Sequence, residues 1–133
     1  MRSPRATAIR LLLIALLLTP ALASGRQGQG TRASDDVRAA VATAGVSEVI
    51  VRVRQAFQME GRLDRSAALA QRARLRDRQA RIIDRLPRGV RARRFQLTPY
   101  FAARVDAAAL ARLESDPDVV SIEADKRMHA DLA

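Results

Sequence analysis

The chain has 133 residues, which suffices for one domain, and it carries a formal net charge of +10. It contains no cysteine, which excludes a disulfide framework, cysteine-based metal sites and thiol catalysis. The positive charge is almost all arginine and accompanies abundant alanine, a bias that a GC-rich bacterial genome imposes without any function. Since the aromatic residues are also too few for a stacking platform, we expect no nucleic acid among the partners.

Residues 1–23 have the pattern of an export signal. Three arginines flank an uninterrupted apolar run at 11–18, and Ala21 and Ala23 place small side chains where a signal peptidase cleaves. The eight-residue run is shorter than the roughly 20 residues that span a bilayer. We therefore expect a signal peptide cleaved after Ala23, a secreted or periplasmic protein, and no stable membrane association after cleavage.

The next segment, 24–46, is expected to be a flexible leader, because its first half is polar and rich in glycine. It could contain a short helix that Asp35 caps and Gly45 ends. The apolar face of that helix would consist of Val37, Val41 and Ala44. Folded structure is expected to begin near Ser47, with a domain over 47–125 and a C-terminal tail over 126–133.

A strand and a long helix are predicted at the start of this domain. Valines alternate along the strand at 48–54, and a loop leads to a helix over 64–86 that ends before Pro87 and Gly89. The predicted apolar face of the helix, which arginines interrupt, consists of Ala68, Leu69, Ala73, Leu75, Ala80, Ile82, Ile83 and Leu86. Two ion pairs of i,i+4 spacing, Asp77 with Arg81 and Asp84 with Arg88, are expected to support it.

The rest of the domain is predicted to contain three strands and a second helix. The strands lie at 90–97, 100–105 and 119–124, and Asp106 caps a helix over 107–115. The residues of the last strand expected to face the core are Val120, Ile122 and Ala124. The residues expected to point the other way are Val119, Ser121, Glu123 and Asp125.

The order strand, helix, strand, strand, helix, strand predicts an α+β fold. It is typical of the ferredoxin-like or split βαβ arrangement, in which a four-stranded antiparallel sheet carries two helices on one face. The other face of such a sheet can remain open. We therefore expect Glu123 and Asp125 to project from the open face or its end.

An ordered series of motifs occupies the last third of the chain. It reads Phe101-x-Ala-x-Val105, then Ala109-Leu110-x-x-Leu113, then Asp116-Pro117-Asp118-Val119-Val120-x-Ile122-Glu123-x-Asp125, and finally Met128-His129-Ala130. Together with the opening run Val49-Ile50-Val51-Arg52-Val53, the series resembles the propeptides of subtilisin-like serine proteases. The resemblance covers about 47–131 and is strongest from Tyr100 onward.

This resemblance implies a secreted inhibitor or intermolecular folding chaperone of a subtilisin-like serine protease. In that family the open sheet face docks on two parallel surface helices of the protease. Acidic side chains at the end of the last strand cap those helices, and Glu123 and Asp125 occupy the matching positions. The tail then lies extended in the substrate cleft. The predicted inhibitory tail residues are Arg127, Met128, His129, Ala130, Asp131, Leu132 and Ala133.

Two registers of the tail in the protease cleft are open. In one, Asp131 stands just before the cleavage position, and Met128 and Ala130 fill the apolar and small subsites. In the other, the terminal carboxylate of Ala133 lies in the active site and Ala130 fills the apolar subsite. An acidic residue before the cleavage position suits few subtilisins, which counts against the first register.

The sequence favours a binding protein over an enzyme. His129 is the single histidine, no Gly-x-Ser-x-Gly motif is present, and no catalytic domain follows within the 133 residues. Glu114, Asp116 and Asp118 are interpreted as helix-end and turn residues, so we expect no metal and no cofactor. The free protein is expected to be a monomer. The alternative is a secreted ferredoxin-like interaction module without a protease partner.

Overall fold

The computed structural model describes residues 32–126 of the chain. The helices are α1 (Asp35–Ala44), α2 (Arg65–Asp84) and α3 (Ala107–Ser115), and the strands are β1 (Val46–Val53), β2 (Ala92–Arg94), β3 (Tyr100–Asp106) and β4 (Val119–Ala124). One turn of 3₁₀ helix, Glu60–Arg62, precedes α2. The predicted signal peptide and the tail residues 127–133 lie outside the described part of the chain.

The four strands form one antiparallel sheet in the order β2-β3-β1-β4. The connections β1–α2–β2 and β3–α3–β4 give the predicted α+β architecture, which is compatible with a ferredoxin-like fold. Apolar and polar residues alternate along the central strand β1. Val49, Val51 and Val53 therefore all point to one face of the sheet, where they are buried. β3 adds Phe101 and Val105 to the same face.

Each of the three helices contributes buried apolar residues to the core on this face of the sheet. Ile82 of α2 and Leu113 of α3 are fully buried in the same core cluster as the β1 valines. α3 begins where predicted, because the Asp106 carboxylate accepts a hydrogen bond from the backbone N–H of Ala109 at 2.8 Å. In the same way, Asp64 accepts from the N–H of Ala67 and caps α2.

Helix α1 belongs to the packed structure. Val37 is fully buried in the core, and Gly45 ends the helix with φ +78°, a left-handed conformation that favours glycine. The preceding segment pairs in parallel with β4, since Ser34 donates to the Ile122 carbonyl at 2.9 Å and Ile122 donates to the Arg32 carbonyl at 2.7 Å. The short helix is therefore confirmed, but the expected start of folded structure near Ser47 is wrong by the whole of α1.

The predicted core face of β4 is also partly wrong. Val119 is fully buried, whereas Val120 is only half-buried. The reason is a β-bulge: Val53 pairs with Val119 while Arg52 pairs with Ser121, so that one extra residue stands on β4. A strict two-residue alternation cannot place the residues on both sides of a bulge.

The buried face of α2 differs from the predicted apolar stripe. Its buried residues are Gln71, Leu75, Gln79 and Ile82, whereas Leu69 is 55% exposed. The Nε2 of Gln79 lies within hydrogen-bond distance of the carbonyls of Phe95 (2.9 Å), Thr98 (3.2 Å) and Tyr100 (2.7 Å). This buried amide holds the β2–β3 turn on α2, a task that an apolar side chain cannot perform.

The predicted i,i+4 ion pairs on α2 do not occur among the described residues. Asp77 instead lies 3.6 Å from its neighbour Arg76, and Arg88 lies beyond the end of the helix. β2 is also shorter than predicted, with three exposed residues in place of 90–97, and its ladder with β3 covers only Ala92, Arg93 and Arg94.

Candidate protein-docking face

The sheet face opposite the helices presents small and charged side chains. Its outward positions alternate with the core positions of the same strands. They are Glu48, Ile50, Arg52, Arg93, Tyr100, Ala102, Arg104, Ser121 and Glu123. We call these nine residues, together with Asp125, the open face. Ile50 and Ala102 pair at its centre and are half-buried, so that the middle is shallow and apolar and the rim is charged.

Most charges of the open face are separated by sign, and the exception is Arg52 of β1, which pairs with Ser121 of β4. The carboxylates of Glu123 and Asp125 stand at the end of β4, whereas Arg93 and Arg104 stand on β2 and β3. The two halves meet at the cross-strand pair of Glu48 and Arg104, whose Oε1 and Nε lie 4.0 Å apart with both side chains more than half exposed. The open face therefore presents an acidic edge and a basic edge to any molecule that covers it.

Glu123 lies at the acidic edge. It pairs across the ladder with Ile50, is exposed, and receives a hydrogen bond of 3.4 Å from the hydroxyl of Ser121. It forms no ion pair with another residue of the described range 32–126. Its carboxylate keeps most of its capacity to accept hydrogen bonds from a partner.

Asp125 continues the same edge one residue beyond β4. Its backbone N–H donates to the Glu48 carbonyl at 2.9 Å, which extends the pairing of β4 with β1. Its side chain is exposed and lines a shallow depression with Glu48 and Arg104. The structure thus brings the two acids predicted as docking residues to one end of one strand.

The chain leaves the sheet beside helix α1. The Nζ of Lys126 lies 2.7 Å from Oδ2 of Asp36, in the first turn of α1. The hydrogen bond and the charge of this pair lower the pKa of Asp36 and raise the pKa of Lys126. Sequence reasoning missed this contact, because residues 24–46 were interpreted as a flexible leader. The predicted tail residues 127–133 lie outside the described range.

The other acids near the end of α3 have structural partners. Arg85 reaches Asp116 at 2.8 Å and Asp118 at 3.2 Å, and Arg78 also pairs with Asp118. Burial raises the pKa of Asp118. The hydrogen bond from Arg85 and the charge of Arg78 together lower it by more, so that this pKa lies below its usual range. Glu114 pairs with Arg38 of α1. These carboxylates hold elements together, in agreement with their interpretation as helix-end and turn residues.

Residues 32–126 contain neither a candidate metal site nor a helix that could cross a membrane, and the chain matches no known family. Within residues 32–126 no group of three or more histidine, cysteine, aspartate or glutamate side chains could hold a metal ion. None of the described helices is long and apolar enough to cross a membrane. No family model, no curated protein and no solved structure matches the chain.

Proposed function

We propose that this protein binds a subtilisin-like serine protease through its open face and acts as its inhibitor or its intermolecular folding chaperone. The observation that carries the proposal is the position of Glu123 and Asp125. Both are exposed, both stand on the helix-free side of the sheet, and both directly precede the tail that the sequence resemblance assigns to the substrate cleft.

The acidic edge suits the N-terminal ends of helices on a partner. The first turn of a helix presents unpaired backbone N–H groups and the positive end of the helix dipole. An exposed carboxylate without a cation partner can accept those hydrogen bonds without first breaking an ion pair. Glu123 meets this condition, and the shallow centre around Ile50 and Ala102 leaves room for helices to approach closely.

The backbone pairing of β4 supports the assignment of the tail. Because the Asp125 N–H donates to the Glu48 carbonyl at 2.9 Å, the tail starts from a fixed point at the edge of the open face. A fixed starting point reduces the conformational entropy that an extended tail loses in a protease cleft. The tail would bind by pairing its backbone with edge strands of the enzyme.

The proposal is tested by titrating the full-length protein against a panel of subtilisin-like proteases of different subsite specificity, at low and at high salt. We expect competitive inhibition that depends only weakly on salt, because backbone pairing in a cleft is less screened than contacts between exposed charges. A truncation after Lys126 removes none of the residues that form the described fold. It should abolish inhibition and leave the unfolding transition unchanged.

Two results would contradict the proposal. One is simple digestion of the protein by every protease of the panel, without inhibition and without faster refolding of any denatured protease. The other is full inhibition by the protein truncated after Lys126. The first result would favour the alternative, an interaction module without a protease partner. The second would exclude the tail as the segment that inhibits the protease.

A further inference from the structure

Within residues 32–126, another segment of the chain pairs with one edge strand of the sheet but not with the other. Residues 32–34 cover the β4 edge through the hydrogen bonds between Arg32, Ser34 and Ile122. β2 forms the opposite edge, and its three residues are all exposed. Because an uncovered edge presents unpaired N–H and C=O groups, β2 offers a place where another strand can add.

The hydrogen-bond pattern identifies which groups of β2 are available. Arg104 donates to the Arg91 carbonyl at 3.0 Å, and Phe95 donates to the Tyr100 carbonyl at 3.3 Å. Antiparallel ladders use every second residue, so that the odd-numbered residues of β2 bond to β3. The N–H and C=O groups of Ala92 and Arg94 therefore point away from the sheet.

A groove with a basic lining adjoins this edge. The side chains of Ala92 and Arg94 lie on the helix side of the sheet, since they pair with the core residues Ala103 and Phe101. There they face α2 across the groove. The lining residues are Leu69, Arg72, Ala73, Arg76, Gln79, Ala92, Arg94 and Gln96, and they include three arginines and no acid.

Two of these arginines are available to a partner. Arg72 is paired with Glu60, whose two carboxylate oxygens accept from it at 2.6 and 2.5 Å. Arg76 has only a 3.6 Å contact with Asp77 and is 68% exposed. Arg94 forms no ion pair within the described residues. The groove therefore carries positive charge that the described chain does not neutralise.

We infer that the β2 edge and its groove bind an extended acidic segment of a partner protein by strand addition. The backbone of the added segment pairs with Ala92 and Arg94. Every second side chain of the segment points toward α2, where carboxylates meet Arg76 and Arg94 and apolar groups meet Leu69. This surface lies on the opposite face of the sheet from Glu123, and the inference does not depend on the proposed protease.

A second copy of the chain is a poor occupant for this site. Two β2 strands side by side would bring Arg93 and Arg94 close to the same residues of the other copy, and like charges on neighbouring strands are destabilising. Charged edge residues of this kind prevent self-pairing. The same charges attract an acidic strand, which makes charge complementarity the argument for the occupant.

The test measures fluorescence anisotropy of a labelled peptide that alternates valine and glutamate, titrated with the full-length protein at low and high salt. We expect saturable one-to-one binding that weakens at high salt. A peptide that alternates valine and lysine should not bind. Equal binding of the two peptides would overturn the inference, as would binding of neither.

Variants at the edge separate strand addition from general attraction between charges. Arg94→Glu should lower the affinity about tenfold or more, whereas Arg93→Glu, with the same change in net charge but on the open face, should have a much smaller effect. Ala92→Pro removes an N–H that β3 does not use and should weaken binding by a similar factor of about ten, while Ala92→Val should not. Circular dichroism checks that each variant is folded.

Three outcomes of this series would overturn the inference. Equal losses from Arg94→Glu and Arg93→Glu would indicate attraction without a defined site. Unchanged affinity of a folded Ala92→Pro variant would exclude backbone pairing at β2. A concentration-dependent dimer in sedimentation that Ala92→Pro dissolves would make a second copy of the chain the occupant.

Discussion

Arginine has opposite roles at the two ends of the sheet. At the turn between α3 and β4, four arginines from three parts of the chain converge on a short acidic segment. Arg78 and Arg85 pair with the carboxylates there, Arg32 donates to the Asp116 carbonyl, and Arg54 donates to the Pro117 carbonyl at 3.1 Å. At β2, the arginines are exposed, and Arg94 has no acidic partner within residues 32–126.

A high net charge therefore does not by itself indicate that a protein binds a charged partner. The arginines at the α3–β4 turn join α2, β1 and the segment before α1 to β4, and their removal would loosen the fold. At β2, Arg93 lies over the ring of Phe95, 5.2 Å from its centroid. Arg94 forms no ion pair within residues 32–126 and can contact another molecule. What separates the two groups is the position of Asp116 and Asp118, which pair with arginines of the first group.

The largest effect on stability is expected at the buried acid of the α3–β4 turn. The Asp116 side chain is 5% exposed, and its carboxylate accepts from Arg85 and from the N–H of Asp118 at 2.9 Å. Asp116→Ala leaves both donors without this partner and should lower the free energy of unfolding by about 3 kcal/mol. Urea denaturation measures the change.

The matched control for this variant is an aspartate on the open face. Asp125→Ala removes an exposed carboxylate and should change the free energy of unfolding by less than about 0.5 kcal/mol. If both substitutions lowered the free energy of unfolding equally, the aspartates of the α3–β4 turn and of the open face would not differ in their contribution to the fold.

A slightly smaller effect is expected in the buried face of α2. Gln79→Leu removes the amide that contacts the carbonyls of the β2–β3 turn and should lower the free energy of unfolding by about 2 kcal/mol. It should also speed amide hydrogen exchange in that turn. Gln96→Leu, at an exposed position, is the control. A gain in stability for Gln79→Leu would show that the hydrogen bonds do not matter.

The pH dependence of stability should reflect Asp118. Because its pKa is lower in the folded protein than in the unfolded chain, its contribution is present above the unfolded value and disappears as the pH falls through the folded value. The urea midpoint should therefore be level down to about pH 5 and fall below about pH 4. Asp118→Asn should lower the midpoint at neutral pH and flatten the acid limb. If the urea midpoint of this variant fell at low pH as steeply as that of the parent, the fall would be due to other carboxylates.

The smallest effect on stability is expected at the acidic edge. Glu123→Ala combined with Asp125→Ala removes two exposed carboxylates that form no ion pair within the described chain. The thermal transition should stay within experimental error of the parent protein. A large loss of stability would mean that these acids belong to the fold and not to a docking surface.

Much of the fold could be predicted from local patterns. The alternating valines of β1, the Asp106 cap of α3 and the end of α1 at Gly45 are each determined by a few neighbouring residues. The four-stranded antiparallel sheet then followed from the order of the elements. These features need no knowledge of contacts between distant parts of the chain.

The remaining features depend on long-range contacts. Gln79 is buried where its Nε2 lies within hydrogen-bond distance of three carbonyls of a distant turn. Val119 is buried because a bulge shifts β4 against β1. α1 joins the core through Val37 and Val41, and residues 32–34 beside it pair with β4. At the candidate site, alternation alone placed Glu123, but the anchoring of Lys126 by Asp36 was not predictable from either segment.

The most direct test of the docking face is the inhibition constant of the Glu123→Ala/Asp125→Ala variant against a subtilisin-like protease that the parent protein inhibits. Because the variant should be as stable as the parent, any change reports on binding alone. If the two carboxylates cap helices of the protease, inhibition should weaken by about 1–3 kcal/mol in binding free energy. An inhibition constant equal to that of the parent would contradict docking through this edge.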